Sequence, residues 1–300
     1  MKKAGIIMLT IFLGVAVWYL FVKQYDYQVS FKASTASGSL YYEVLALKSW
    51  GVNKENQNIT LLDTVLFRNV KQRVAQQNSS FILDWNFKSI SDTITKVTVG
   101  IVSEQKSIRN RLQVLTGSSD FVDLYKNQMI KFNNKLIDYT NSFKVHINGE
   151  SVIPEVKYVS AFMKAKRSEK ASKMIMANSD LYLDIPKNNI KQQGHPVIKV
   201  KYWDVKSDSI QFDFGFPVKN KDSVKTHSIF KYNEQVSQKA LKATYYGNYK
   251  NSDQAWFALI EYAKRNSIEV EKKPFEIFYN NPMQGGDELQ WKAEIFLPIK

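Results

Sequence analysis

The sequence predicts an α+β protein in three parts: an apolar N-terminal helix, an α+β domain closed by a long helix, and a second domain built from a repeated β-α-β-β unit. Three observations predict it. Residues 4–22 (AGIIMLTIFLGVAVWYLFV) carry no charge. Between residues 27 and 143, runs of period two give way to one long run of helical period. Beyond residue 155, two stretches close on the same acidic-x-x-x-Pro-aliphatic pattern, at 213–218 and 294–299, with Pro217 and Pro298 81 residues apart.

The apolar run comes first. At about 1.5 Å rise per residue it covers roughly 28 Å, close to the hydrocarbon thickness of a bilayer. Lys2 and Lys3 precede it and Lys23 follows, while Trp18 and Tyr19 stand where interfacial aromatics sit. A cleaved signal peptide needs a shorter core and a small-residue cleavage site, and no Ala-x-Ala follows. A buried core helix is the bland alternative. The expectation is an uncleaved signal anchor over residues 1–25. Lys2, Lys3 and the amino terminus outweigh Lys23, so the positive-inside rule puts the N-terminus in the cytoplasm and the body outside.

Hydrophobic residues make up 44 %, too many for a disordered chain. Cysteine is absent, which excludes disulfides, cysteine nucleophiles and thiolate metal sites. His146, His195 and His227 show no metal-ligand spacing, so neither metal nor cofactor is expected. The net charge of +14 is spread evenly: 18 basic against 11 acidic residues in 1–150, and 24 against 17 in 151–300. Without a basic tract or a recognition-helix signature, this reads as a solvated basic surface near anionic lipid, and no nucleic-acid partner is expected.

Residues 27–34 alternate as a strand, and 37–50 read as a short helix with Ser37 or Ser39 as N-cap. Strands follow at 59–67, 70–76, 80–87 and 93–103, with turns at 78–80 and 89–92. A helix over 119–142 closes the segment, with Ser119 as cap and Asp120 and Asp123 in its first turn. Its stripe is Phe121, Tyr125, Phe132, Leu136, Tyr139 and Phe143. This is the order of a helix-grip fold, and residues 27–145 resemble the polyketide-cyclase/START-like (SRPBCC) superfamily. That resemblance implies an apolar cavity between sheet and helix; the alternative is a structural domain packing its own aromatics. Asn148-Gly149 and Pro154 mark a boundary at 146–154.

The second domain, 155–300, repeats. Pro196 and Pro274 open its hairpins 78 residues apart, and the three-residue difference from the closing prolines falls in the turn at 283–287. Each copy reads as a strand (156–166; 238–247), a helix (from 168 to at least 178; 251–266) and a hairpin (197–203 with 209–218; 275–280 with 289–299). The second helix has Asn251-Ser252-Asp253 as cap, Trp256, Leu259, Ile260 and Ala263 as apolar face, and Lys264-Arg265-Asn266 as its end.

Tyr245-Tyr246-Gly247-Asn248-Tyr249 ahead of that helix, Glu276-Ile277-Phe278-Tyr279, and Glu294-Ile295-Phe296-Leu297-Pro298 resemble the GyrI-like small-molecule-binding domain, also called the AraC-type effector-binding domain. The first copy matches through Phe212-Asp213-Phe214-Gly215-Phe216-Pro217-Val218. The resemblance implies a groove that binds hydrophobic, often cationic, small molecules through aromatics and buried glutamates. Some members are sensors fused to DNA-binding helices, some sequester toxins or inhibit a topoisomerase, and a subset hydrolyses small electrophilic ligands. In this sequence the apolar helix and the first segment stand where sensors carry their DNA-binding module.

The ligand candidates are Glu294 as main charged contact, Glu276 as second, Tyr245, Tyr279 and Trp291 as groove walls, and Asp213 as the counterpart of Glu294. A glutamate among apolar neighbours loses solvation, and a cationic aromatic ligand supplies both charge and stacking surface. Salt bridges to Lys272 or Lys292 are the alternative for the glutamates, and core packing for the aromatics. No nucleophile elbow, P-loop or dinucleotide fingerprint occurs, and no catalytic residue is nominated. The expected function is a membrane-anchored protein that binds or senses an apolar, cationic small molecule. Hydrolysis by a Glu–Tyr pair, or a tethered interaction module without ligand, are the alternatives.

Overall fold

Antiparallel pairing builds two separate sheets, of five and eight strands. The computed structural model describes residues 2–48, 58–76, 79–116, 120–187, 190–219 and 230–300. It divides into two compact units, residues 1–90 with 94–137, and 91–93 with 138–300.

The first unit begins with α1 (Lys2–Val17), extended by a π-helical turn over Trp18–Val22. Lys3–Val22 contains an 18-residue window of mean hydropathy 2.4, and is long and apolar enough to cross a membrane by length and composition. Its last turn is tied to the body. Arg111 donates to the carbonyls of Tyr19 (3.3 Å) and Leu20 (2.9 Å), and the Tyr19 hydroxyl donates back to the Arg111 carbonyl at 3.3 Å. The Arg111 Nε pairs with fully buried Asp26 at 2.8 Å. Asp26 also accepts from the Ser103 amide (2.9 Å) and the Ser107 hydroxyl (2.5 Å), so the buried carboxylate is saturated.

Then follow β1 (Tyr27–Ala33), α2 (Ser37–Leu45), β2 (Asn58–Val65), β3 (Asn69–Gln76), β4 (Ser79–Ser89), β5 (Thr95–Ser103), α3 (Ser107–Thr116) and α4 (Asp120–Asn141). The sheet order is β1-β5-β4-β3-β2. Helix α4 buries Tyr125, Met129 and Leu136 at helical spacing. Its rings meet the sheet edge-on or tilted, Tyr125 on Phe81 at 4.9 Å and Phe132 on fully buried Trp85 at 5.1 Å. Gly100 lets the Tyr25 ring lie against β5: a Cβ there would stand 2.4 Å from it.

Some local expectations fail. Ala36, not Ser37 or Ser39, is the N-cap of α2, without a capping side chain; both serines are buried instead. Phe143 opens a strand rather than ending the α4 stripe. Helix α3 was not expected at all. The helix expected over 37–50 ends at Leu45 with Ala46 as its C-cap. Residues 49–50, Asn78 of the turn, the Ser119 cap and the Phe121 side chain lie outside the described residues.

The second unit holds β6 (Phe143–Ile153), β7 (Val156–Lys166), α5 (Lys170–Lys187), β8 (Val197–Asp204), β9 (Ser209–Pro217), β10 (Lys231–Gln235), β11 (Gln238–Gly247), α6 (Gln254–Arg265), β12 (Phe275–Phe278) and β13 (Lys292–Pro298). Its order is β10-β7-β9-β8-β12-β13-β11-β6. The stretch read as a boundary, 146–154, is mostly strand β6 paired with β11. Asn148-Gly149 makes a bulge where the register shifts opposite Lys242/Ala243, and Gly149 takes φ +88°. A bulge with glycine at positive φ absorbs turn-forming residues without ending the pairing. Strand, helix, strand, strand recurs as β7-α5-β8-β9 and β11-α6-β12-β13, and the two groups meet where β8 pairs with β12.

Candidate functional site

The hairpin β12–β13 decides which side chains can act together. Glu276 stands opposite Ile295, and Ile277 opposite Glu294. Successive residues of a strand point to opposite faces, so the two glutamates project from opposite faces of the sheet. The expectation that they share one groove is therefore corrected by strand parity.

Helix α6 covers the Glu276 face. Glu276 is fully buried and accepts from Lys170 Nζ (2.8 Å), the Ser252 hydroxyl (2.5 Å) and Trp256 Nε1 (2.9 Å). Lys170, equally buried, also donates to Ser252 at 2.6 Å and lies 4.7 Å from the Trp256 ring centre. Its neighbour Arg167 forks onto Asp208 (2.9 and 3.0 Å), bonds Asp253, and stacks 4.9 Å over Phe257. Burial alone would lower the Arg167 pKa, but Asp253 and Asp208 outweigh it and hold the pKa above its usual value. This network ties the start of α5 to the start of α6 and to β12. Glu276 thus pairs with Lys170, not Lys272, and its oxygens are engaged within the fold. Asp253 sits at the N-cap of α6 without making a capping bond, because its carboxylate goes to Arg167.

Tyr245 shares that face, opposite Ala293. It is fully buried, donates to the Asn248 carbonyl at 2.8 Å, and stacks on Phe143 at 6.0 Å. Trp291 is also buried and packs on Tyr249 at 6.0 Å. These two aromatics are core residues.

The opposite face is built differently. Glu294 accepts from Tyr279 (2.9 Å) and pairs with Lys242 (3.0 Å) and Lys292 (2.9 Å). Burial pushes its pKa up, but hydrogen bonds from Lys292, Lys242 and Tyr279 overcome this and hold it below the usual glutamate range. Burial and the neighbouring carboxylate raise the Tyr279 pKa to about 12. A carboxylate held so low is a weak general base near neutrality. Beneath this cluster lies a buried apolar floor of Ile153, Tyr158, Val197, Phe275, Ile277 and Phe296, already packed within the fold, with half-buried Tyr279 at its edge. Asp213 joins the same face through β9, opposite Lys199 on β8. It is buried, pairs with Lys201 at 2.7 Å, and lies beside the Tyr158 hydroxyl, which makes no well-aligned hydrogen bond to it. A cleft of about 370 Å³ opens at the margin of the floor, sharing Ile153 and Phe275 with it.

The structure therefore brings Glu294, Tyr279 and Asp213 to one face and Glu276 and Tyr245 to the other. Sequence reasoning missed Lys170, Arg167, Lys242 and Lys201; Lys292 it held as the alternative partner of Glu294. Among the described residues no group of three or more His, Asp or Glu could hold a metal ion.

Residues 159–300, within the second unit, match the family model of the GyrI-like small molecule binding domain. The chain is similar in structure to the EcmrR–DNA complex, at 15 % identity over 64 % of this chain and 70 % of that one, TM-score 0.45. It is also similar to SAV2435 bound to tetraphenylphosphonium (11 % identity, 53 % and 93 %, TM-score 0.35) and to a hydrolase from Listeria innocua (12 %, 52 % and 93 %, TM-score 0.33). No curated protein matches the chain.

Proposed function

We propose that this chain is a membrane-anchored protein that binds a small apolar molecule on the face of the second sheet opposite α6. The observation that carries the reading is the cleft of about 370 Å³ at the margin of the buried floor, on the face that also holds the half-buried Tyr279–Glu294–Lys242–Lys292 cluster. Apolar surface with a few convergent polar groups is the ordinary form of a small-molecule site. The GyrI-like family of residues 159–300 supports it. Glu294, Tyr279 and Asp213 are the polar contacts. A cationic ligand would have to displace a lysine ammonium from Glu294 or Asp213, whereas an apolar body needs no such exchange. The repeated β-α-β-β reading makes Asp213 and Glu294 counterparts in two copies. The first unit keeps its helix-grip reading on element order. Anchoring, with the N-terminus inside and the body outside, rests on the apolar helix and on Lys2 and Lys3.

Calorimetric titration of the full chain in detergent with 2-naphthamide tests the reading. Saturable binding is expected, weakened several-fold in Val236→Ser, which removes an exposed apolar side chain from the cleft lining and leaves the core intact. No saturable binding by wild type would sink the proposal and favour the interaction module.

A further inference from the structure

The cleft beside the floor has a charge pattern that the family resemblance does not supply. Lys199, Lys201 and Lys273 line it together with Glu271. Lys201 is taken by Asp213 and Lys273 by Glu271, each at 2.7 Å. Lys199 is half-buried on β8, directly between Phe275 on β12 and Asp213 on β9. Among the described residues its ammonium makes no ion pair or hydrogen bond. The cleft thus holds one cation more than its neighbouring acids, Glu271 and Asp213, can match. Burial first, then repulsion from Lys201 and Lys273, lowers the Lys199 pKa against the pull of Asp213. A bound anion would relieve both effects.

We infer that the ligand carries an anionic group, such as a carboxylate, on an apolar body, and that Lys199 receives this group in the cleft while the body lies against the cleft's apolar lining, Val236, Pro298 and the edge of Phe275. The inference rests on the small-molecule reading above and deepens it. Lys201 and Lys273 add long-range attraction without leaving their own acids. Lys199, Val236, Phe275 and Pro298 line the same cleft, so one molecule can meet the ammonium and the apolar lining together.

A matched series tests it on the full chain: 2-naphthoate, 2-naphthamide and 2-naphthylmethylammonium, titrated by calorimetry. The expected order is anion, then neutral, then cation, with the anion favoured about tenfold or more over the amide, as one charge-assisted hydrogen bond supplies. Lys199→Met should abolish that preference, while Lys199→Arg keeps it. Decanoate binding that depends on Lys199 would assign the site to acyl chains as well as aryl acids, within the same chemistry. If the amide binds but the naphthoate binds no tighter, or the cation binds tightest, the inference fails and the small-molecule reading stands. If none of the three binds, both fail. The wild-type series decides without the variants, so a Lys199→Met chain that does not fold leaves the test intact.

Discussion

Glu276 and Glu294 stand on neighbouring strands of one hairpin, yet the thickness of the sheet lies between them. Glu276 lives with Lys170, Ser252 and Trp256 in a setting closed to water. Glu294 is shared by two lysines and a tyrosine, and its side chain keeps 13 % of its exposure. The same residue type therefore serves two ends. Under α6 the charges are fixed partners that join the two β-α-β-β groups. On the opposite face they are exchangeable partners that a ligand can rearrange. Family resemblance points at both glutamates alike; only geometry divides them.

The sharpest way to break this comparison is to remove one partner of the enclosed pair. Lys170→Met should cost about 3–5 kcal/mol, because it strands a buried carboxylate. Lys170→Met combined with Glu276→Gln should recover much of that, since no charge is then left alone. Urea denaturation of the three proteins checks both statements, and a loss under about 1 kcal/mol for the single change would mean that water reaches the pair. Arg167→Lys should come next, at about 1.5–3 kcal/mol, because a lysine cannot fork onto Asp208 while also bonding Asp253. By contrast, Glu294→Gln should change stability by about 1 kcal/mol or less, as partly exposed ion pairs do. Equal losses for Glu294→Gln and Glu276→Gln in the same melts would erase the distinction between the faces.

The smallest effect is a pH dependence. Glu294 has a folded pKa below its unfolded value, so its contribution is present above the ordinary glutamate pKa and fades as pH falls through the lowered one. Glu294→Gln should flatten that acid limb slightly. The titration of the Glu294 carboxyl, followed by NMR, should lie below the ordinary glutamate value of 4.5. A midpoint above it would mean that Lys242 and Lys292 do not hold the carboxylate in solution.

How far this was legible depended on the range of the interaction. Strand β1 coincides with the alternating run at 27–34, because burying one face of a strand writes its period into the sequence. The α6 face was readable for the same reason. Helix α3 carries Ile108, Leu112 and Leu115 at helical spacing, but all three are exposed and its buried residues, Asn110 and Arg111, are polar, so no buried apolar face marks it in the sequence. Partners were another matter. Lys170 and Glu276 lie 106 residues apart, and nothing in either neighbourhood marks the other. The face of Glu294 relative to Glu276 depends on hairpin register, and the turn between β12 and β13 breaks any count of parity along the chain. Asn251-Ser252-Asp253 carried an ambiguous signal: polar residues before a helix read as caps, and here Ser252 and Asp253 are drawn into the ion network instead.

Arg111 has a mechanical consequence. It holds the carbonyls of Tyr19 and Leu20 at the end of the apolar helix, while its other side grips Asp26 at the root of β1. A hinge at Lys23 would have to break these bonds and expose a buried carboxylate. The first sheet and that helix therefore turn as one lever: any torque or tilt imposed on the helix is delivered to β1 and β5 without slack.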